Sequence, residues 1–240
     1  MCGRYSLTKP PRVTEKLLSL ECASKDNLPR FNISPNQVVP AIYMCSEGSI
    51  YNSQMRWGYI PSWARGAGSY KPMINARSET IAEKPYFREA FRKRRALIPA
   101  DGYYEWIRSG KQSLPYRIER KDKQVFAFAG IWEASINSIR DEFPTFSIIT
   151  KQSDRNLNHI HHRMPVILHQ KYFKSWLNYR EDLNVIKNYL SLANASEFVN
   201  YTVGEWVNNI NNDDINCIRP LDRNTDKLEE TSEKEQWKFL

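Results

Sequence analysis

The chain begins MCGRYSLT, with Cys2 directly behind the initiator methionine. Removal of Met1 would leave an α-amine and a thiol on one residue, a 1,2-aminothiol. Free α-amines titrate at about 7.7 to 8.0 and cysteine near 8.5, so both nucleophiles are accessible near neutral pH. Such a pair condenses with an aldehyde to give an imine, after which the thiol closes a five-membered thiazolidine. The second step is intramolecular, and effective molarities of about 10⁵ M or more would make the product slow to reverse. A cysteine that merely lies near a chain end is the plainer reading of MCGRYS taken alone.

Three further stretches pair reactive side chains with residues suited to anions or rings: MINARSET at 73–80, DGYYEW at 101–106 and HIHHRMP at 159–165. Glu105 sits among Tyr103, Tyr104 and Trp106, where poor solvation would raise its pKa toward the range useful for proton transfer. If the strand alternates cleanly, Glu105 faces water instead. His159, His161 and His162 crowd together with His169 nearby, but HIHH has no Cys or Glu partner at a familiar ligand spacing. One imidazole acting as acid or base is the economical reading, and spacing does not say which. An extended MINAR puts Asn75 and Arg77 on one face, where the guanidinium can grip a phosphate and the amide can orient a reacting oxygen. Asn75 could equally serve a turn. Arg4 and Arg163 could add phosphate contacts, and Trp57, Trp63 and Trp106 lie near these basic motifs. Exposed rings in a basic groove suit single-stranded nucleic acid, although core packing is the ordinary fate of tryptophan.

The elements that must position these residues read as sheet with a few helices. PPRVTEKLLSLE has the spacing of a surface helix, and VVPAIYMC and SIYNSQM form a hairpin turning at Ser46, Glu47 and Gly48. EKPYFREAFRKRR turns Phe87, Ala90 and Phe91 to one helical face. Strands follow at ALIPA, YYEWIR, PYRIER, QVFAFAGIW and TFSIIT, as a β-meander. VILHQKYFKSWL passes from strand to helix, EDLNVIKNYLSLA is helical, and FVNYTVGEWV returns to strand. The pattern is one α+β domain over residues 2–221, followed by a charged extension at 222–240.

At 240 residues, with hydrophobic residues at 41 % and aromatics at 12 %, the chain has ample material for a packed core, which excludes disorder for most of its length. A formal charge of +8 favours polyanionic partners. The four cysteines are scattered without a CxxC pair, against a structural zinc or a disulfide framework. No apolar run approaches the roughly 20 residues that span a bilayer, and no secretory signal leads the chain. A cytoplasmic monomer without metal or cofactor is expected.

Taken together, MCGRYS, RFNISP, MRWGYIPSW, MINARSET, RRALIPADGYYEW and IHHRMPVIL resemble the SRAP family, the SOS response-associated peptidases that process abasic sites. The resemblance implies a β-rich α+β domain with a barrel-like sheet flanked by helices. It also implies loss of Met1 by self-cleavage, then a thiazolidine between Cys2 and the ring-opened aldehyde of an abasic site in single-stranded DNA, with lyase activity a further possibility. By the same resemblance Cys2 is the nucleophile, Asn75 positions it and the sugar oxygen, and Glu105 is the acid and base. Alignment on Arg163 and Pro165 selects His161 among the histidines. Arg4, Arg77 and Arg163 match phosphate-gripping positions, and Asn32 with Pro35 matches the pocket wall; with Trp63 and Trp106, the arginines and Asn32 form the expected DNA-binding set. Position 162 is His where the family often has Asp, and the charged extension matches nothing in the family. Two other classes fit Cys2 or its absence from the chemistry: a terminal-nucleophile amidohydrolase, and a single-strand-binding module in which the thiol is incidental.

Overall fold

A computed structural model describes residues 2–9, 28–64, 71–110, 112–135 and 143–221. The surface helix expected in PPRVTEKLLSLE and the charged extension lie outside the described residues, as does Cys22.

Two sheets share one core. The smaller runs β13 (Phe198–Thr202), β8 (Gln112–Arg120), β7 (Gly102–Ser109), β1 (Tyr5–Leu7) and β2 (Arg30–Ile33), in that spatial order. The larger contains β3 (Val38–Met44), β4 (Ile50–Trp57), β6 (Arg95–Ala100), β9 (Phe126–Glu133) and β10 (Thr145–Gln152), with the short strands β5 (Asn75–Arg77), β11 (Arg163–Pro165) and β12 (Ile167–Leu168) attached. Because β10 pairs with both β4 and β9, the strands β10, β4, β3, β6 and β9 close into a ring. The seams at β10–β4 and β3–β6 are only two residue pairs long, so the ring falls short of a regular barrel. The expected α+β, sheet-rich architecture is present. Helices α1 (Arg88–Lys93), α2 (Phe173–Leu177) and α3 (Leu183–Leu192) bury Phe91, Trp176 and Ile186 against the sheets. Among the described residues no helix is long and apolar enough to cross a membrane.

Local chemistry explains most of these elements. The β3–β4 hairpin closes where expected, with the Cys45 N–H donating to Ser49 O at 2.9 Å and Gly48 at φ +90°, a conformation that favours glycine. The helix expected across EKPYFREAFRKRR is only six residues long. Phe87 lies just before it, and hydrogen-bonded turns occupy the preceding residues.

The β-meander is corrected. Strands β6 and β7 are consecutive, yet β6 pairs with β3 and β9 while β7 pairs with β1 and β8 in the other sheet. Asp101 makes the corner. Its buried carboxylate accepts from Ser6 Oγ at 2.6 Å, Thr8 N at 2.6 Å and Thr8 Oγ1 at 2.5 Å, and Arg117 approaches it at 3.4 Å. Gly102 follows because a Cβ there would sit 2.4 Å from Arg117 Cζ. These bonds tie β1, and with it the chain's second residue, to the boundary between the sheets.

Candidate active site

Period-two alternation along β7 sends Tyr103 and Glu105 to one face and Tyr104 and Trp106 to the other. Both faces are covered. Tyr103 joins the main core, whereas Tyr104 packs with Val203, Val207 and Cys217 in a satellite cluster. Glu105 is therefore 6 % exposed rather than solvated, which settles the alternative left open by the sequence. The β1–β7 register pairs Tyr5 with Tyr103, and the Tyr104 N–H donates to Arg4 O at 2.9 Å. Continued toward the amino terminus, this ladder sets Glu105 opposite Gly3, beside Cys2.

The second half of the site comes from the larger sheet. Beyond the ring, β10 runs between two short strands: β5 pairs in parallel through Asn75–Arg77, and β11 pairs antiparallel through Arg163–Pro165. Asn75 and His161 thus approach the amino-terminal end from opposite edges of β10. Asn75 Nδ2 donates to Cys2 O at 2.8 Å, a bond that fixes the amide's orientation because only the nitrogen can donate. Asn75 Oδ1 is buried and has no hydrogen-bond partner among the described residues. His161 and Glu105 line one small chamber with Arg163. The structure brings Cys2, Asn75, Glu105 and His161 into a single site.

Its electrostatics differ from the sequence expectation at one point. Cys2 is fully buried, and burial pushes its thiol well above the usual range, with the Glu105 charge raising it further. In the chain that retains Met1, the thiol is therefore protonated at neutral pH and not freely available. Burial also raises Glu105, while the positive amino terminus and its hydrogen bond work in the other direction. A carboxyl so placed can accept the thiol's proton as sulfur attacks and return it later.

His161 is held below its ordinary pKa, first by burial and then by the charge of the amino terminus. The Arg163 backbone N–H donates to His161 Nδ1 at 2.9 Å. Nδ1 also lies 3.1 Å from Arg163 O, so the ring accepts from the amide or donates to the carbonyl according to its tautomer. His162 stacks on it with ring centroids 4.4 Å apart, while His159 and His169 are exposed. Among the described residues no group of three His, Cys, Asp or Glu side chains could hold a metal ion.

The expected DNA-binding residues fall into two sets. Arg77 is exposed and lines a largely apolar groove of about 620 Å³ that also contains Asn75, Met73 and Tyr86. Trp63 is 59 % exposed and meets Tyr86 edge-on at 5.7 Å, whereas Trp57 is core. Arg163 is already engaged: its fork meets Glu79 at 2.6 and 3.0 Å, and Nη2 also donates to Thr150 O at 2.7 Å. Arg4 donates to Asn32 Oδ1 and Val207 O, both at 2.7 Å, and stacks over Trp106 at 5.7 Å. Asn32 is fully buried, and its Nδ2 reaches Val207 O, Asn209 O and Asn212 O at 3.2, 3.0 and 2.6 Å. Trp106 Nε1 donates to Asn208 Oδ1 at 2.8 Å. Arg4, Asn32 and Trp106 therefore clamp the segment at 205–218. Sequence reasoning missed Glu79 and Ser153, although Glu79 lies inside MINARSET and an acid two residues from Arg77 was a visible hint.

Fold and site define a class: a sheet-rich protein that buries a cysteine at its second position beside an amide, a carboxyl and an imidazole. Residues 1–210 match the family described as SOS response associated peptidase (SRAP), and the chain belongs to that family. The abasic site processing protein YoaM of Bacillus subtilis is 38 % identical over 225 residues, covering 91 % of this chain and 97 % of that protein. YoqW of the same organism, which carries the same description, is 35 % identical over 223 residues, covering 91 % of this chain and 99 % of its own. A solved structure from Bacteroides thetaiotaomicron shares the fold with a TM-score of 0.72 at 26 % identity, over 92 % of this chain and 100 % of that one.

Proposed function

We propose that the protein processes abasic sites in single-stranded DNA by trapping the ring-opened sugar aldehyde on Cys2 as a thiazolidine, after it has removed its own Met1. The observation that carries this reading is the Asn75 Nδ2 bond to Cys2 O, which holds the amino-terminal residue beside buried Glu105. Membership of the family and the description of its relatives as abasic site processing proteins supply the substrate.

The chemistry follows from the groups present. For self-cleavage, Cys2 Sγ attacks the Met1 carbonyl carbon as Glu105 takes the thiol proton and passes it to the departing Cys2 nitrogen. Water then hydrolyses the thioester, releasing methionine and restoring the thiol. Loss of Met1 leaves the amine on Cys2 itself. That amine adds to the aldehyde carbon, the hydroxyl leaves as water, and an imine forms. The thiol adds across the C=N bond, its proton goes to nitrogen, and the five-membered ring closes. His161 donates to the sugar oxygen as the furanose opens. The imine also acidifies the neighbouring C–H, so elimination of the β-phosphate competes with closure and gives a lyase outcome.

Incubation with single-stranded DNA containing one abasic site, followed by mass spectrometry, tests this. The expected product is a denaturation-resistant adduct on Cys2 of chains lacking Met1. No adduct from protein shown to lack Met1 would overturn the proposal.

A further inference from the structure

Behind the reacting groups lies a chamber that serves no step described above. Glu105, Ser153, His161 and Arg163 line its polar side, and Ile118 and Ile160 are among its apolar walls. It leaves about 10 Å³ in which the centre of a water molecule can sit. A space on the order of 10 to 15 Å³ holds one water, provided two to four polar groups bind it.

Two of those groups have no partner among the described residues. Ser153 Oγ and Arg163 Nε are buried and make no hydrogen bond. The guanidinium cannot readily turn away. The Arg163 fork is pinned by Glu79 and Thr150, which fixes the plane of the guanidinium and the direction of its Nε–H. Ser153 is anchored through its backbone N–H, which donates to His162 O at 3.0 Å. Ser153 and Arg163, which carry these orphaned atoms, thus line one water-sized space together with Glu105 and His161. Leaving two buried polar groups unsatisfied is costly, and a single bound water removes that cost.

We propose that this chamber binds one water molecule, held by Ser153 Oγ and Arg163 Nε, and that it is the water released and consumed at the imine step on Cys2. The proposal rests on the aldehyde-capture reading and gives Ser153 a positioning role in it. In the forward direction Glu105 protonates the carbinolamine hydroxyl, the C–O bond breaks, the nitrogen lone pair forms C=N, and the oxygen departs as water, which takes the chamber position as the resident molecule moves out to solvent. In reverse the thiazolidine C–S bond opens and the thiol recovers its proton. The chamber water then adds to the imine carbon, Glu105 takes its proton, and nitrogen receives it as the aldehyde is regenerated.

Forward and reverse crosslinking cross the same barrier, so loss of the water must slow both equally. Ser153→Val fills the chamber and removes the hydroxyl; Ser153→Ala removes only the hydroxyl. Crystals of wild type diffracting to about 1.5 Å should show one water within hydrogen-bonding distance of Ser153 Oγ and Arg163 Nε. With Met1-free protein, either variant is expected to slow crosslink formation and release by a common factor of about ten, the worth of one buried hydrogen bond. Final yield and affinity for DNA bearing a tetrahydrofuran analogue, which has no aldehyde, should be unchanged. Wild-type rates in a folded variant, unequal factors, or no water in the chamber would overturn the proposal. If wild type itself forms no adduct, the capture reading fails, while the crystallographic water still tests the chamber.

Discussion

Asn75 and Asn32 lie at opposite ends of the chemistry available to the same side chain. Asn32, on β2, is fully buried with its oxygen accepting from Arg4 and its nitrogen donating to three backbone carbonyls. Asn75, on β5, donates once to Cys2 O and keeps a buried oxygen with no partner among the described residues. The first is a strut between β2 and the segment at 205–218. The second is under-satisfied where a substrate would arrive, which is the state expected of a group that binds something the protein does not contain. Residue type alone does not distinguish them; the partners do.

The comparison can be tested from its largest effect downward. Cys2→Ala should abolish the denaturation-resistant adduct, as read on a denaturing gel, because both the release of Met1 and the closure of the thiazolidine need its sulfur. An adduct of normal yield on another residue would break the site assignment. Glu105→Gln is expected to slow crosslinking about 10² to 10⁴-fold, the usual contribution of a positioned acid and base, with little change in DNA affinity. It should also alter the pH dependence of stability. Burial raises Glu105, so the native state keeps a proton that the unfolded chain loses above about pH 4.3, and wild-type stability falls as pH climbs from there through the native pKa. The Gln variant lacks this loss, and melting curves at pH 4 and pH 8 should show it gaining on wild type at the higher value.

The two asparagines separate next. Asn32→Ala should cost about 3 kcal/mol in urea unfolding, roughly 1 for each lost bond to a carbonyl, while folded protein crosslinks at the normal rate. Asn75→Ala should do the opposite, slowing the rate about tenfold at nearly unchanged stability. Identical profiles for the two variants would erase the distinction. The smallest effect belongs to Arg77→Ala, which should weaken binding evenly across DNA sequences and reduce the salt slope by about 1. An unchanged salt slope would remove Arg77 from the interface.

Much of the fold was legible because hydrophobic alternation and turn chemistry are local. The β3–β4 hairpin, the strands from ALIPA to TFSIIT and the passage from strand to helix after Val166 all occupy the stretches expected of them. The sheet assignment was not legible, because the switch at Asp101 depends on Ser6, Thr8 and Arg117, partners that lie elsewhere in the chain. Arg163 teaches the same lesson at the site. Its motif suggests a phosphate contact, yet its guanidinium is held by Glu79 and Thr150, and no local pattern announces a neighbour 84 residues away.

From the sequence alone came the chemical inventory: a thiol and a latent amine on Cys2, an acid among aromatics, an amide beside an arginine, and a crowd of imidazoles. Those are properties of covalent structure and near neighbours. Only the tertiary structure decided that Cys2 is buried and protonated while Met1 remains, that Glu105 faces inward, and that His161 Nδ1 sits against the Arg163 backbone. Each depends on which distant backbone and side-chain atoms exclude water or supply a donor, and desolvation and hydrogen bonding act only where the folded chain brings those atoms together.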